Sequence, residues 1–322
     1  MNKEFWNKKN VLVTGAGGFK GSHLVEELSK TNANIISLVR DFDPKSYFEI
    51  KKLGERSTVV IGDLKDPVKM ADILSKYEIT SIFHLGAQPI VTTALINPRE
   101  TLESNIMGTV NILEAARLYS KVKEIVVVSS DKAYGPSEII PYTEEERLQG
   151  KAPYDVSKSC ADLIAQMYSK IYDLPITITR CANVFGPGDL NFSRIIPGII
   201  LAMIEKKVFE IRSDGKMIRE YIYIKDAIEG YITLAENINK TKGEAFNIAS
   251  KNVMSVLEFV EKTSEVLGIK IEYEILDQAQ TEIAKQHLDG SKIKNLLGWE
   301  AKTNLNEAIK NTFQWYKSIF KD

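Results

Sequence analysis

The sequence Val11-Leu-Val-Thr-Gly-Ala-Gly-Gly-Phe-Lys-Gly-Ser22 decides the fold of this chain. A short β-branched apolar run is followed by Gly15, Gly18 and Gly21, and the chain then continues with helical spacing of its apolar residues. This order predicts a strand, a tight phosphate-binding turn and a helix. The free N–H groups and partial positive charge of the helix N-terminus suit a pyrophosphate. An ordinary glycine turn is the alternative at this point.

The composition limits the partners that the chain can have. Its 322 residues include 42 basic and 43 acidic side chains, so no overall field attracts nucleic acid or an anionic membrane, and a small-molecule partner is expected. A hydrophobic content of 44% is typical of a globular protein with one large or two unequal domains. The N-terminus is polar and no apolar run approaches 18 residues, which argues against a signal peptide and a membrane span.

The cysteines indicate a reducing environment. Cys160 and Cys181 lie among apolar residues without metal-ligand spacing, and we interpret both as buried, reduced thiols. We therefore expect no metal site. We expect a cytoplasmic location, because thiols stay reduced there.

Further apolar runs predict a layered α/β fold. Strands are predicted at residues 34–39, 58–63, 81–87 and 124–130, with helical stretches between them. Five strands alternating with helices indicate a doubly wound parallel sheet, a Rossmann fold. Ligands bind at the carboxyl ends of such strands, where Asp63 and Ser130 lie. His84 lies inside a strand among apolar neighbours, so we interpret it as a core residue rather than a base.

The end of the second strand bears on the choice of dinucleotide. An acid there favours a free ribose 2′-hydroxyl, as in NAD, and an arginine favours the 2′-phosphate of NADP. Counting from Gly21, the position of the acid falls on Val39, and Arg40 and Asp41 follow. Arg40 makes NADP plausible, whereas Asp41 leaves NAD open.

A tyrosine and a lysine at the start of a later helix suggest proton chemistry. Tyr154 and Lys158 are four residues apart, so they share one helix face and can reach one ligand. A lysine beside a phenol lowers the pKa of the phenol, which makes the tyrosine a usable base for an alcohol. An inert surface pair is the alternative for this motif alone.

In combination, Gly15-x-x-Gly18-x-x-Gly21, Asp63, Ser130 and Tyr154-x-x-x-Lys158 resemble the extended short-chain dehydrogenase/reductase family, specifically its nucleotide-sugar epimerases and 4,6-dehydratases. The resemblance covers nearly the whole chain. It implies that Ser130, Tyr154 and Lys158 oxidise sugar C4, with the hydride passing to bound NAD(P). It also implies a homodimer that pairs through two helices of the nucleotide domain.

The resemblance further implies a division of the chain and a set of binding residues. The expected Rossmann domain spans residues 1–182, with residues 219–248 returning to it, and a smaller nucleotide-sugar-binding domain comprises residues 183–218 and 249–322. The expected cofactor residues are Gly15, Gly18, Phe19, Lys20, Gly21, Arg40, Asp63, Leu64, Leu85, Ala87, Asn105, Tyr154 and Lys158. The expected substrate residues are Gln88, Asn183 for the diphosphate-sugar, Arg219 for the diphosphate and Arg194 for the nucleotide end. Planar guanidinium groups suit phosphate, and a surface ion pair is the alternative for each arginine.

The sequence Ser129-Ser-Asp-Lys-Ala-Tyr-Gly135 indicates a branch of the family. The 4-epimerases usually have small neutral residues at the positions of Asp131 and Lys132, because they only remove and return a hydride. A dehydratase also needs an acid and a base near C5 and C6. The CDP-glucose 4,6-dehydratases have Asp-Lys here and share Phe19-Lys20-Gly21-Ser22. We therefore expect a nucleotide-diphospho-hexose 4,6-dehydratase in which Asp131 protonates the departing C6 oxygen and Lys132 helps to remove the C5 proton.

The sequence leaves alternatives open for both the substrate and the reaction. Residues 185–189 and 221–226 look like general epimerase/dehydratase sequence, so a CDP-glucose-like and a GDP-mannose-like substrate both remain open. A 4-epimerase of the same fold is the first alternative. A non-catalytic sensor that binds the cofactor without turnover is an alternative of another class.

Overall fold

The structure is a computed structural model that describes residues 1–278 and 283–320. Its strands are β1 Asn10–Thr14, β2 Asn34–Val39, β3 Thr58–Ile61, β4 Ser81–His84, β5 Glu124–Val128, β6 Ile176–Cys181, β7 Asn183–Phe185, β8 Phe209–Ile211, β9 Ile218–Tyr223, β10 Ala245–Ile248, β11 Val253–Ser255, β12 Tyr273–Ile275 and β13 Lys285–Gln286.

The helices surround these strands. They are α1 Phe19–Leu28, α2 Tyr47–Ile50, α3 Pro67–Lys76, α4 Val91–Ile96, α5 Pro98–Leu102, α6 Gly108–Tyr119, α7 Pro153–Tyr172, α8 Ile195–Glu205, α9 Ile224–Glu236, α10 Ile238–Thr241, α11 Val256–Leu267, α12 Ser291–Leu297 and α13 Leu305–Phe320. A π-helical turn, Glu103–Met107, joins α5 to α6, and 3-10 turns occupy Leu53–Arg56 and Asp131–Tyr134.

Seven parallel strands form the large sheet in the order β10-β6-β5-β4-β1-β2-β3. The order reverses at β1, which lies between β2 and β4, so the doubly wound α/β fold predicted from the sequence is confirmed. Three of the predicted strands are shorter than expected and end at Ile61, His84 and Val128. The residues after these ends form loops at the carboxyl edge of the sheet.

Both faces of the large sheet are buried, which explains why its strands are continuous apolar runs. Successive residues of β1 alternate between two cores, with Leu12 in one and Val11 and Val13 in the other. Burial of each such side chain contributes about 1.5–3 kcal/mol relative to its exposure to water. The two cores fix the sheet, and with it the position of the loops at its edge.

A smaller sheet is built around β9. This strand pairs in parallel with β7 and β13 and antiparallel with β11, while β8 and β12 form a separate parallel pair. In the segment expected to return to the Rossmann domain, residues 219–248, residues 219–223 lie in β9 and pair with β7 of the smaller sheet, which follows β6 directly in the chain. The return begins at Ile224 with α9 and ends with β10, which pairs with β6. Residues 279–282 and 321–322 of the expected smaller domain lie outside the described residues.

The two cysteines differ in exposure. Cys181 is buried, as predicted, whereas Cys160 is half-buried, because it lies on the face of α7 that also carries the exposed Leu163 and Met167. Both are free thiols. Within residues 1–278 and 283–320, no helix is both long and apolar enough to cross a bilayer, and no three His, Cys, Asp or Glu side chains are grouped to hold a metal ion.

Candidate active site

A cavity of about 430 Å³ opens at the carboxyl edge of the large sheet. The glycine-rich turn, the loops after β2 to β5, the start of α7 and residues 188–191 form its walls. The predicted site residues that line it are Gly15, Gly18, Phe19, Lys20, Gly21, Arg40, Asp63, Leu64, Leu85, Ala87, Tyr154, Lys158 and Arg194. The fold thus brings together every expected cofactor residue except Asn105.

The glycine-rich turn has the shape of an anion cradle. Gly15 has φ +67°, and a Cβ atom there would lie 2.8 Å from Gly86 Cα. A Cβ atom at Gly21 would lie 2.1 Å from the Gly15 carbonyl oxygen, so α1 can approach the turn this closely only with glycine. Gly18 caps α1 without a side chain, and the first turn of α1 contains no acidic residue. The first N–H groups of α1 therefore face the cavity without a competing carboxylate, which suits a pyrophosphate.

A buried hydroxyl at the other end of the cavity also fits a bound cofactor. Ser129 follows β5 and lines the cavity, and its Oγ is buried with no hydrogen-bond partner among the described residues. Buried polar atoms in native proteins are normally paired, so this hydroxyl is available to a ligand. A dinucleotide that extends from the turn at Gly15 to Ser129 and Lys158 would fit the residues present.

The end of β2 carries charges of both signs. Arg40 Nε donates to Asp41 Oδ2 at 2.6 Å, and Arg40 Nη1 lies 3.7 Å from Glu100 Oε1. The hydrogen bond with Asp41 raises the pKa of Arg40. Both Arg40 and Asp41 line the cavity, so an acid is present to meet a ribose hydroxyl and a guanidinium is present to meet a phosphate.

We expect Arg40→Ala to weaken NADP binding about tenfold more than NAD binding, because only NADP carries the 2′-phosphate that a guanidinium pairs with. Dissociation constants for both dinucleotides measured by calorimetry would test this. Arg99→Ala is the matched control, since Arg99 is exposed on α5, pairs with Glu103 and lies away from the cavity lining. An equal loss of affinity for both dinucleotides would show that Arg40 does not read the phosphate.

The start of α7 presents Tyr154 and Lys158 to the cavity. Pro153 occupies the first helical position, and Lys158 follows Tyr154 by one turn. Lys158 Nζ donates to the Val128 carbonyl oxygen at 3.1 Å, which fixes the ammonium at the end of β5. Burial, together with the nearby charge of Lys20, lowers the pKa of Lys158 to about 8. Lys158 is therefore mainly protonated at neutral pH but can lose its proton at moderate cost.

The environment of Tyr154 differs from the sequence-based prediction in one respect. Burial raises the pKa of Tyr154 to about 12, whereas the positive charge of Arg194 and the nearby Ser130 hydroxyl act to lower it. The expected lowering by Lys158 is not among the main influences on the phenol. In this protein desolvation dominates, since a phenolate in a largely apolar cavity loses its hydration.

Ser130, Asp131 and Lys132 form one turn beside the cavity. Ser130 caps the 3-10 turn Asp131–Tyr134, donating to Asp131 Oδ1 at 2.9 Å and accepting from the Lys132 N–H at 3.2 Å. Asp131 is 4% exposed, so its carboxyl is held in a nearly dry position next to the Ser130 hydroxyl. The Ser130 hydroxyl thus holds the Asp131 carboxyl and lies near the Tyr154 phenol.

Gln286 on β13 anchors this turn to the smaller sheet. Its Oε1 accepts from Lys132 Nζ at 2.7 Å, and its Nε2 donates to the Asp131 carbonyl oxygen at 3.0 Å. Gln286 is 1% exposed. The sequence gives no signal for this contact, because it joins residues that are more than 150 positions apart.

A buried carboxyl, Glu220, holds the loops around Gln286. Its two oxygens accept from the Ser250 N–H at 2.5 Å and from the Leu288 N–H at 2.8 Å. Burial raises the pKa of Glu220 to about 8. The predicted substrate residue Asn183 is exposed and donates to the Glu220 carbonyl oxygen at 3.2 Å, and the buried Arg219 donates to the Ile218 carbonyl oxygen at 2.9 Å.

A second buried network connects α7 to the same turn. Arg180 on β6 makes two hydrogen bonds to Asp162 of α7, at 2.9 and 3.0 Å, and one to the Tyr134 hydroxyl at 3.0 Å. Tyr134 in turn donates to Asn247 Oδ1 at 2.7 Å. Because Lys158 lies one turn before Asp162, this network orients the helix of Tyr154 and Lys158 relative to the Asp131–Tyr134 turn.

Two predicted ligand residues are occupied by structural contacts. Gln88 Nε2 donates to Thr101 Oγ1 at 2.9 Å, and the Gln88 N–H donates to Asn105 Oδ1 at 2.7 Å. Asn105 Nδ2 donates to the Gln88 carbonyl oxygen and to Ser157 Oγ of α7. Neither side chain lines the cavity, and their hydrogen bonds hold the loop after β4 against α7.

His84 and Asp189 complete the surroundings. His84 is buried, contacts the Thr14 and Thr109 hydroxyls and has its pKa lowered by burial to about 3, so its interpretation as a core residue is confirmed. Asp189 lines the cavity and pairs with Arg194 Nη1 at 2.8 Å. The only sequence signal near Asp189 is the Gly-Pro-Gly directly before it, which marks a turn and gives no indication of a ligand.

Comparisons with known proteins agree with this geometry. Residues 12–312 match the family model described as GDP-mannose 4,6 dehydratase. The CDP-glucose 4,6-dehydratase of Salmonella typhimurium is 30% identical over 337 residues, covering 99% of this chain and 93% of the relative. The dTDP-glucose 4,6-dehydratase of Bacillus anthracis, solved with NAD, matches with a TM-score of 0.85 and 26% identity, covering 96% of this chain and 97% of that one.

Epimerases match equally well. The UDP-glucuronic acid 4-epimerase of Bacillus cereus, solved with UDP-glucuronic acid and NAD, has a TM-score of 0.89 and 26% identity, covering 97% of this chain and all of that one. Similarity over the whole length therefore extends to nucleotide-sugar 4,6-dehydratases and 4-epimerases, and does not distinguish between the two reactions.

Proposed function

The chain belongs to the GDP-mannose 4,6 dehydratase family, and we propose that it is a nucleotide-diphospho-hexose 4,6-dehydratase. The observation that carries the proposal is the buried Asp131 carboxyl, which is hydrogen-bonded to Ser130 beside Tyr154. Ser130, Tyr154 and Lys158 suffice to oxidise an alcohol. A carboxyl next to them adds the proton donor that loss of water requires.

The cofactor of this reaction is NAD(P). The residues that fit it are the turn at Gly15 to Gly21, Arg40 and Asp41 at the adenosine ribose, and Ser129 and Lys158 at the nicotinamide end. When bound, it accepts a hydride from sugar C4 and later returns it to C6.

Oxidation at C4 needs a base for the O4 proton. Tyr154 takes this proton in its phenolate form, and the nearby Ser130 hydroxyl polarises O4. The Lys158 ammonium stabilises the negative charge of the phenolate that accepts this proton, and it holds the ribose. The high pKa of Tyr154 makes deprotonation costly before the substrate binds, so positive charge at this end of the cavity assists the step.

Elimination follows from the 4-ketone. The C5 proton of the ketone is acidic and passes to Lys132, which reacts in its amine form, and the electron pair of the C5–H bond forms the C5=C6 double bond as the C6–O bond breaks. Asp131 donates a proton to the C6 oxygen, which departs as water. Gln286 fixes Lys132 and the Asp131 backbone together, which keeps the acid and the base in one orientation.

We propose a CDP-glucose-like or GDP-mannose-like substrate. The sequence features Phe19-Lys20-Gly21-Ser22 and Asp131-Lys132, together with the 30% identity to a CDP-glucose 4,6-dehydratase, support this choice. Arg194, Arg219 and Asn183 are the groups proposed to meet the nucleotide, the diphosphate and the diphosphate-sugar. Arg194 lines the cavity, which supports its access to a ligand.

The proposal is tested by incubating the purified protein with CDP-, GDP-, UDP- and dTDP-hexoses and identifying the products by NMR. A 4-keto-6-deoxy sugar from at least one of them is expected. A product epimerised at C4 that keeps its C6 hydroxyl would support the alternative 4-epimerase. Binding of NAD(P) with no turnover of any of these substrates would support the alternative sensor.

We also propose that the protein is a homodimer. Leu163, Met167 and Ile171 are spaced by four residues on α7 and are 52%, 39% and 67% exposed, which forms an apolar stripe on the nucleotide domain. We expect light scattering to give twice the chain mass, and Met167→Glu with Ile171→Glu to give a monomer. A monomeric wild-type protein at micromolar concentration would contradict the dimer.

We also propose a cytoplasmic location, which rests on the two free thiols.

A further inference from the structure

Asp189 is a carboxylate of the cavity that the proposed reaction does not use. It lies in the segment between β7 and α8 and lines the same cavity as Tyr154, although it is only 2% exposed. A carboxylate at this place is unfavourable for a ligand that carries phosphate groups, because like charges repel each other. The partners of Asp189 indicate what it contributes instead.

Three contacts fix the position of Asp189. The Tyr316 hydroxyl of α13 donates to its carbonyl oxygen, and the Asn191 N–H donates to its Oδ1 at 3.1 Å. Two residues earlier, the Pro187 carbonyl oxygen contacts His23 Nε2 of α1 at 2.7 Å. The segment is therefore held by α1 and α13, and the carboxylate is fixed at the wall of the cavity.

The second carboxylate oxygen holds Arg194. Arg194 Nη1 donates to Asp189 Oδ2 at 2.8 Å, while Arg194 Nε and Nη2 have no hydrogen bond with any residue of the ranges 1–278 and 283–320. A guanidinium group has five N–H donors in one rigid plane, so fixing one nitrogen restricts the direction of the others. The Arg194 side chain is 35% exposed and lines the cavity, which leaves these donors accessible to a ligand.

We propose that Asp189 is a positioning residue that holds the guanidinium of Arg194 in place to bind a diphosphate oxygen. The turn at Gly15 to Gly21 lines the same cavity, and Arg194 adds a charged, forked donor to the neutral N–H groups of that turn. The ion pair restricts the guanidinium before the ligand arrives, so less side-chain entropy is lost on binding. The diphosphate belongs either to the cofactor or to the nucleotide sugar, and only the second case rests on the proposed function.

A role of Asp189 as a competitor for Arg194 predicts an effect of the opposite sign. Removal of a competing carboxylate would free the guanidinium and remove a repelling charge, so a diphosphate would bind more tightly. Removal of a positioning carboxylate weakens binding. An asparagine has a single acceptor oxygen, so it cannot accept from both the Asn191 N–H and Arg194 as the two carboxylate oxygens do.

The test is to measure dissociation constants by calorimetry in two arms. The first uses NAD⁺ on protein freed of nucleotide, and the second uses the tightest-binding of CDP, GDP, UDP and dTDP on protein saturated with NAD⁺. For Asp189→Asn we expect about fivefold weaker binding in at least one arm, and the affected arm identifies the diphosphate. Arg194→Met should weaken the same arm about 30-fold, and Asp189→Asn should cause no further weakening once Arg194 is replaced.

Asp43→Asn is the matched control. Asp43 also lines the cavity and accepts from the N–H two residues further along, but in the described part of the chain it pairs with no arginine. The control removes the same charge from the same cavity, so unchanged affinity in both arms is expected.

Unchanged or tighter binding of both ligands by Asp189→Asn would overturn the proposal. Additive losses in Asp189→Asn and Arg194→Met would also overturn it, because the two side chains would then act independently. If Asp189→Asn does not fold, as judged by circular dichroism, Arg194→Lys gives a second test. A single ammonium cannot fork between Asp189 and a ligand, so about fivefold weaker binding is expected, and wild-type affinity would contradict the proposal.

The measurement is independent of turnover. It can fail while the dehydratase assignment stands, and a product assay can contradict the dehydratase while the losses of affinity remain.

Discussion

Replacing Tyr154 with phenylalanine is expected to reduce turnover about 100- to 10,000-fold, while the affinity for the nucleotide sugar stays nearly unchanged. The phenol acts on the O4 proton only during oxidation, so its loss removes an interaction of the transition state. Steady-state kinetics measure the loss of turnover, and calorimetry of nucleotide-sugar binding to the inactive variant measures the affinity. Hydride transfer, followed as the absorbance of reduced cofactor, should be absent in the variant.

The matched control is Tyr168→Phe on the same helix. The Tyr168 hydroxyl donates to Glu114 Oε2 at 3.1 Å, far along α7 from the cavity, and its removal should leave turnover unchanged. Wild-type turnover in Tyr154→Phe would remove the proposed base. A loss of turnover in both variants would indicate a general effect on α7 rather than a role for the phenol.

Replacing Asp131 with asparagine is expected to permit oxidation at C4 and to stop the reaction there. An amide keeps the shape of the carboxyl and can still accept a hydrogen bond from Ser130, but it has no proton to give to the departing C6 oxygen. Reduced cofactor should therefore accumulate and be visible by its absorbance. Formation of the 4-keto-6-deoxy product should fall about 100-fold or more.

Asp155→Asn provides the control for this variant. Asp155 is half-buried next to Tyr154, so its replacement changes local charge by the same amount without affecting the hydrogen bond from Ser130. We expect wild-type product formation in this control. A modest change of rate in Asp131→Asn without accumulation of reduced cofactor would mean that Asp131 is structural and that the reaction is an epimerisation.

Much of the large sheet is predictable from the sequence because its signals are local. Strands buried on both faces are continuous apolar runs, and the glycines at positions 15, 18 and 21 mark the turn after β1. The smaller sheet is not predictable in this way. Strand β9 contains apolar residues that would suit either sheet, and its position depends on β7, β11 and β13, which are far apart in the sequence.

The residues of the candidate site also differ in how well the sequence predicts them. Residues in local motifs, such as Tyr154 and Lys158, lie in the cavity as expected. Gln88 carries a ligand-like side chain, but the structure uses it to hold a loop, since its partners Thr101 and Asn105 come from the following helical segment. Gln286 could not be predicted as a site residue from the sequence, because a single glutamine in a two-residue strand has no pattern that distinguishes it from a surface residue.

The most direct test of the dehydratase assignment is turnover in heavy water with the nucleotide sugar that the protein accepts. The C5 proton leaves to groups that exchange with solvent, whereas the hydride moves from C4 to C6 within one molecule without exchange. We predict a 4-keto-6-deoxy product with deuterium at C5 and with the original C4 hydrogen at C6. A product that keeps its C6 hydroxyl, has the opposite configuration at C4 and contains no deuterium at C5 would contradict the assignment.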